Sequence, residues 1–217
     1  MNNLCRSYVK EINGKFKHIQ IIFYGSNIYN ESSSDLDLCL ILPNEVSQET
    51  KKNLIDITKK FQIKKALRID EEIPFENKLI YTKQEVNDIF LNSPFRDEKG
   101  NYVYHEIEKT NSFLNSPEMK KRLMLNILTT DHKSCGNVID MKTSEEKAWF
   151  EILTMVYKVF NTNLHDIDKT LDNLYVNPKT FMAGEMYLGY KLANPKKKKH
   201  LRKKVKKYSK ELIKVLT

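Results

Sequence analysis

The chain has only three cysteines, Cys5, Cys39 and Cys135, odd in number and far apart. They lack the paired Cys/His spacing of a zinc site, so reduced thiols are expected. Long apolar runs are missing as well. No stretch approaches the ~20 consecutive apolar residues of a membrane span, and the opening MNNLCRSYVKEINGK lacks the apolar segment of a secretion signal. A globular, cytoplasmic protein with no membrane span is therefore expected. Acid is scarce relative to base: 37 Lys and Arg face 28 Asp and Glu, a formal charge of +9. That balance points to an anionic partner such as a nucleotide, RNA or an acidic protein surface. The lysine and asparagine usage behind it also follows from the coding bias of an AT-rich genome. What is present suffices for a core, since 40% of 217 residues are hydrophobic, enough for one large domain or two small ones.

The most informative stretch is 18–42, HIQIIFYGSNIYNESSSDLDLCLIL. A β-like apolar run through Ile19, Ile21, Ile22 and Phe23 ends at Gly25-Ser26. A polar connection follows, and a second run opens with Asp35-Leu36-Asp37 and continues to Leu42, where Pro43 stops it. Strand side chains alternate faces, so the i, i+2 spacing puts Asp35 and Asp37 on one side and turns Leu36 and Leu38 to the other. Two such carboxylates repel unless a cation lies between them. Mg²⁺ suits the place, because it takes one or two carboxylates and completes its shell with water and substrate phosphate. Gly25 permits a tight turn, and Ser26 offers a hydroxyl and an amide at a predicted helix start, where free N–H groups favour an anion such as a triphosphate.

This Gly-Ser, spacer, Asp-hydrophobic-Asp arrangement resembles the signature of the nucleotidyltransferase superfamily. That superfamily includes DNA polymerase β, poly(A) and tRNA-tailing polymerases, aminoglycoside adenylyltransferases and the minimal nucleotidyltransferases of toxin–antitoxin pairs. The resemblance covers roughly residues 1–92. It implies an α/β nucleotidyltransferase-like domain, a small mixed sheet with helices on one face, in which Asp35 and Asp37 hold two Mg²⁺ (or Mn²⁺) ions and Gly25 and Ser26 bind the β- and γ-phosphates of an NTP. It also implies a third carboxylate on a neighbouring strand, as metal ligand and general base. Asp70, Glu71 and Glu72 stand in a row there, and period two sets Asp70 and Glu72 on one face against Glu71 on the other. The pair Asp70 and Glu72 is preferred.

Around this motif the pattern predicts helices over 3–12, closed by Gly14, over 47–61 and over 83–91. Strands are expected at 66–75 and 78–82, and a hairpin or extended excursion at 95–109. Ser116-Pro117-Glu118 starts another helix, with Met119, Leu123 and Ile127 as its apolar stripe. Its Lys120, Lys121 and Arg122 read as either a phosphate clamp or a solvated face. Residues 131–141 read as a loop whose His132 stays outside the site, and Thr143-Ser144-Glu145-Glu146 as a capping box opening a helix with Trp149, Leu153 and Val156. Two further helices are expected, the second capped by Asn177 with Pro178 behind it. The expected division is a catalytic domain over 1–111 and an all-α domain over 112–217, with the site in the cleft between them.

The last helix, from Asn194-Pro195, carries the stripe Leu201, Val205, Tyr208, Leu212 and Val215. Between Lys196 and Lys214 it has eleven Lys or Arg against one acid, Glu211. Such self-repulsion anticipates an anion, and RNA is the leading candidate. A membrane surface is the alternative, weakened by a single aromatic residue and the lack of a lipidation motif. The expected activity is transfer of a nucleoside monophosphate from an NTP to a hydroxyl, on tRNA or another RNA first. A protein partner of the toxin–antitoxin type comes next, then a small molecule such as an antibiotic. A catalytically silent nucleotide- or RNA-binding module is the reading from a different class.

Overall fold

A computed structural model describes residues 1–25, 28, 35–68, 75–103, 111–167 and 195–216. Helix α1 (Asn3–Asn13) is capped by the Asn2 side chain, which accepts from the Cys5 amide at 2.8 Å, and buries Cys5, Tyr8 and Ile12. Strands β1 (Gln20–Phe23) and β2 (Leu38–Leu42) pair antiparallel from Gln20↔Ile41 to Phe23↔Leu38, and every residue of both is buried. Helix α2 (Gln48–Lys64) starts where the Ser47 hydroxyl accepts from the Thr50 amide at 3.1 Å. Then come α3 (Phe75–Leu79), β3 (Ile80–Thr82), α4 (Lys83–Leu91), α5 (Asn111–Leu114), α6 (Pro117–Thr129), β4 (Lys133–Cys135), α7 (Met141–Val159) and α8 (Pro195–Leu216). The sheet runs in the order β3-β2-β1-β4, with β2 and β3 parallel and the other pairs antiparallel.

Strand alternation divides the core in two. Ile21, Phe23, Leu36, Leu38, Leu40 and Leu42 pack with α1 and α2, where Tyr8 donates or accepts a 2.6 Å hydrogen bond with Thr58. Ile22, Cys39, Ile41 and Tyr81 point the other way, into a cluster with α4, α6, α7 and α8 built around Met124, Leu125, Trp149 and Leu153. The sheet therefore has helices on both faces, which corrects the expectation of one covered face. The reason lies in β1 and β2, whose Gln-Ile-Ile-Phe and Leu-Cys-Leu-Ile-Leu are apolar at nearly every position and need cover on both sides.

Four further expectations are corrected. Residues 133–135 are an edge strand on β1, not loop, paired from Ile21↔Cys135 to Phe23↔Lys133. This pairing is reinforced by the buried Gln20, whose Oε1 accepts from the amides of Val138 and Ile139 at 2.9 and 2.8 Å. Lys78 and Leu79 belong to α3, so the third strand begins at Ile80. Helix α7 begins before the expected capping box, because the Asp140 carboxylate accepts from the amides of Lys142 and Thr143 at 3.0 and 3.3 Å while Ser144 is already inside and buried. Val215 is 69% exposed, so the apolar stripe of α8 ends at Leu212.

Of the expected strand over 66–75, Ala66 lies in a turn, Arg68 forms an isolated parallel bridge with Asp35, Phe75 opens α3, and 69–74 lie outside the described residues. The 95–109 excursion does turn back, with Arg96 bridging Tyr102 and the Asp97 carboxylate accepting from the amides of Lys99 and Asn101; residues 104–110 lie outside the description. So do Asn177 and Pro178. All three cysteines are free, and burial pushes the Cys5 thiol up to about 11 and Cys39 higher still. Among the described residues no helix is long and apolar enough to cross a membrane.

The shifted start of α7 can be tested. Asp140→Ala loses the cap and is expected to lower stability by about 1 kcal/mol, whereas Thr143→Ala, which removes a hydroxyl bonded only to that same carboxylate, should cost less. Urea unfolding of both variants reads the difference; the reverse order would return the cap to Thr143.

Candidate active site

β1 ends and β2 begins at the same end of the sheet, so the segments flanking that end are brought together. The Tyr24 amide donates to the Asp37 carbonyl at 3.1 Å, carrying the ladder one step beyond Phe23. Gly25 then adopts φ +70°, and a Cβ built on it would lie 2.0 Å from Asp37 Oδ2 and 2.9 Å from its Cγ. A side chain at this position is excluded twice, by the left-handed backbone and by the carboxylate already occupying the space. The Gly-Ser turn and the second acid of the Asp-x-Asp pair are thus in direct van der Waals contact.

Asp35 and Asp37 are both half-buried and line one cavity of about 160 Å³. Leu36 and Leu38, between and after them, are only 4% exposed and belong to the core on the α1/α2 side. The alternation read from the sequence is present, although both acids precede β2 rather than opening it. The physical reason is local: Asp35 makes only an isolated bridge, to Arg68, and the regular ladder starts at Leu38.

Three polar residues that carry no motif also line this cavity: Gln62 of α2, Arg68 and Lys78 of α3. Gln62 is 5% exposed, and its Nε2 donates to the Leu36 carbonyl at 3.4 Å, bracing the peptide between the two acids. Arg68 and Lys78 bring positive charge to a space that already holds two carboxylates. The helix expected over 47–61 stops one residue short of Gln62, which the structure includes in α2, and nothing in the sequence says that its amide reaches Leu36 26 residues away.

The other sequence candidates fare as follows. Ser26, Asp70, Glu71 and Glu72 lie outside the described residues. Lys120, Lys121 and Arg122 form ion pairs with Glu85, Asp88 and Glu118 respectively, and Arg122 is 2% exposed with its guanidinium over the Phe95 ring. Burial by itself would raise the Glu85 carboxyl, but the Lys120 ammonium and the Thr82 amide and hydroxyl outweigh it and hold Glu85 below the ordinary carboxylate value. None of the three lines the cavity that Asp35 and Asp37 share, and the buried Arg122 departs from the solvated-face expectation. His132 turns its Nδ1 toward the Thr130 carbonyl at 3.0 Å, outside the cavity.

The donor set suits a hard divalent cation. Two carboxylates facing one cavity of about 160 Å³ leave coordination positions for water and substrate oxygens. Among the described residues no group of three or more His, Cys, Asp or Glu is placed to hold a metal, so two acids are what the described part of the site offers. Compared with models of protein families, with curated proteins and with solved structures, the chain gives no match.

Proposed function

We propose that this chain is a metal-dependent nucleotidyltransferase, moving a nucleoside monophosphate from an NTP to a hydroxyl and releasing pyrophosphate. The observation that carries the reading is the contact between Gly25 and the Asp37 carboxylate at the mouth of a cavity shared with Asp35. A solvated acidic hairpin has no reason to press a carboxylate against the one residue type that leaves room for it.

In this reading Asp35 and Asp37 hold Mg²⁺ or Mn²⁺. The ion, when bound, lowers the pKa of the acceptor hydroxyl and neutralises charge on the pyrophosphate leaving group. The acceptor oxygen forms a bond to the α-phosphorus as the bridging bond to the β-phosphate breaks, and the hydroxyl proton passes to a carboxylate. Asp70 or Glu72 is assigned that proton. Gly25 and Ser26 supply amides and a hydroxyl to the β- and γ-phosphates, and Arg68 and Lys78 add positive charge where the triphosphate enters.

The test is incubation of the purified protein with each α-labelled NTP, Mg²⁺ and a cell lysate, followed by fractionation into RNA, protein and small molecules. Label in one fraction, dependent on the metal and lost on chelation, is the expected result. No label from any NTP in any fraction would leave a silent binding module instead.

A further inference from the structure

We propose, resting on that reading, that the acceptor is RNA and that one ridge of α8 holds its phosphodiester backbone. Among the described cations of α8, one lies inward and five others stand in file on the outer face. Lys204 is committed inward, 2.8 Å from Glu145 and 4.0 Å from Asp131, beside His200 at 3.5 Å from Asp131. Lys199, Lys203, Lys206, Lys210 and Lys214 are all exposed, and they follow one another at intervals of four, three, four and four residues. That spacing is a single helix ridge, and at 1.5 Å per residue the five ammonium stems stand about 4.5–6 Å apart over about 22 Å.

Neighbours on a ridge normally alternate in sign to offset repulsion. Here the positions three and four residues from Lys203, which are Lys199, His200, Lys206 and Lys207, contain no acid, and those around Lys206 and Lys210 contain none either. Glu211 enters only beside Lys214. A straight file of like charges with regular spacing complements a linear polyanion. It is poorly matched to a membrane surface, because the apolar stripe a bilayer would need is spent inside the protein. Leu201, Val205, Tyr208 and Leu212 are 2–6% exposed, and the Tyr208 ring stacks on Trp149 with centroids 5.6 Å apart and an angle of 13°. The ridge is therefore held rigidly outward, on a helix whose other face is core.

The experiment is an anisotropy titration of end-labelled tRNA with the full chain over a range of salt concentrations, without NTP or metal, so that it is independent of catalysis. Three proteins are compared: wild type, K199Q/K203Q/K206Q/K210Q/K214Q, and a charge-matched control with the exposed Lys10, Lys52, Lys60, Lys64 and Lys65 changed to Gln. Circular dichroism and thermal midpoints show that all three fold. Wild type and control are expected to share a steep log–log salt dependence, and the ridge variant to bind at least tenfold more weakly with a slope shallower by about 3.5, from ~0.7 per single-strand phosphate contact. Equal slopes for ridge variant and control overturn the proposal, because net charge alone then explains binding. So does a wild type that binds no tRNA, whether or not it sediments with phosphatidylserine vesicles or labels a protein in the transfer assay. Transfer activity is scored separately, and its absence with a ridge-dependent salt slope would sink the catalytic reading while leaving RNA binding in place.

Discussion

Asp37→Asn is expected to abolish nucleotidyl transfer while leaving stability within about 1 kcal/mol of wild type, as a surface-accessible isosteric change should. Asn matches Asp in shape, so it still fits the space that Gly25 leaves open. What it loses is one negative charge and one hard oxygen ligand. Substitutions of residues that merely orient metal ligands already cost 10–100-fold, so removing a ligand should exceed about 100-fold. Asp35→Asn should behave alike. Both variants keep Arg68 and Lys78 in the cavity, so residual NTP affinity persists while turnover falls. Rates at saturating NTP and Mg²⁺ decide it, and turnover above a few per cent of wild type in either variant would refute the metal assignment.

The largest effect on stability is expected from Trp149→Ala, a loss of about 3–5 kcal/mol against the 5–15 kcal/mol that holds a typical domain together. Trp149 is 1% exposed, the largest of the fully buried side chains, and joins α7 to α8 through the stacked Tyr208 ring. Removing it leaves a cavity in the cluster where α7 and α8 meet. Trp149→Phe should cost much less, because the indole N–H has no hydrogen-bond partner among the described residues and its deletion orphans nothing. Urea unfolding followed by circular dichroism measures both. Equal losses in Ala and Phe would mean that the indole is bonded and that its polar edge, not its volume, holds α8.

Much of this was legible in the sequence because it rests on local chemistry. Gly25, Asp35 and Asp37 announce a turn between strands and a paired charge, and Ser47, Ser116-Pro117 and the α8 stripe mark helices through capping and period alone. What was not legible depends on distance along the chain. Lys133-Ser134-Cys135 has no apolar alternation, since its place in the sheet comes from backbone pairing with β1 and two of its three residues are exposed. Asp140 outcompetes Thr143 as a cap because tertiary packing buries Ser144 and pulls the helix start forward. Gln62 and Lys78 reach the candidate site by the course of α2 and α3, and Arg68 by its bridge to Asp35, which no short motif records.

The position of β4 also bears on how the chain is made. β1 is synthesised well before its second edge partner, residues 133–135, and the amides that Gln20 accepts from lie 118 and 119 positions away. Until then a largely apolar strand keeps an open edge and a buried amide lacks its donors. Gly136 tightens the closure: at φ +94° a Cβ there would sit 2.4 Å from the Ile19 carbonyl, so the late segment docks backbone to backbone. A nascent chain that stalls or is cut near residue 111 thus presents an unprotected template for strand addition, and chaperone demand during synthesis should peak in that window and fall once residue 139 is free to fold.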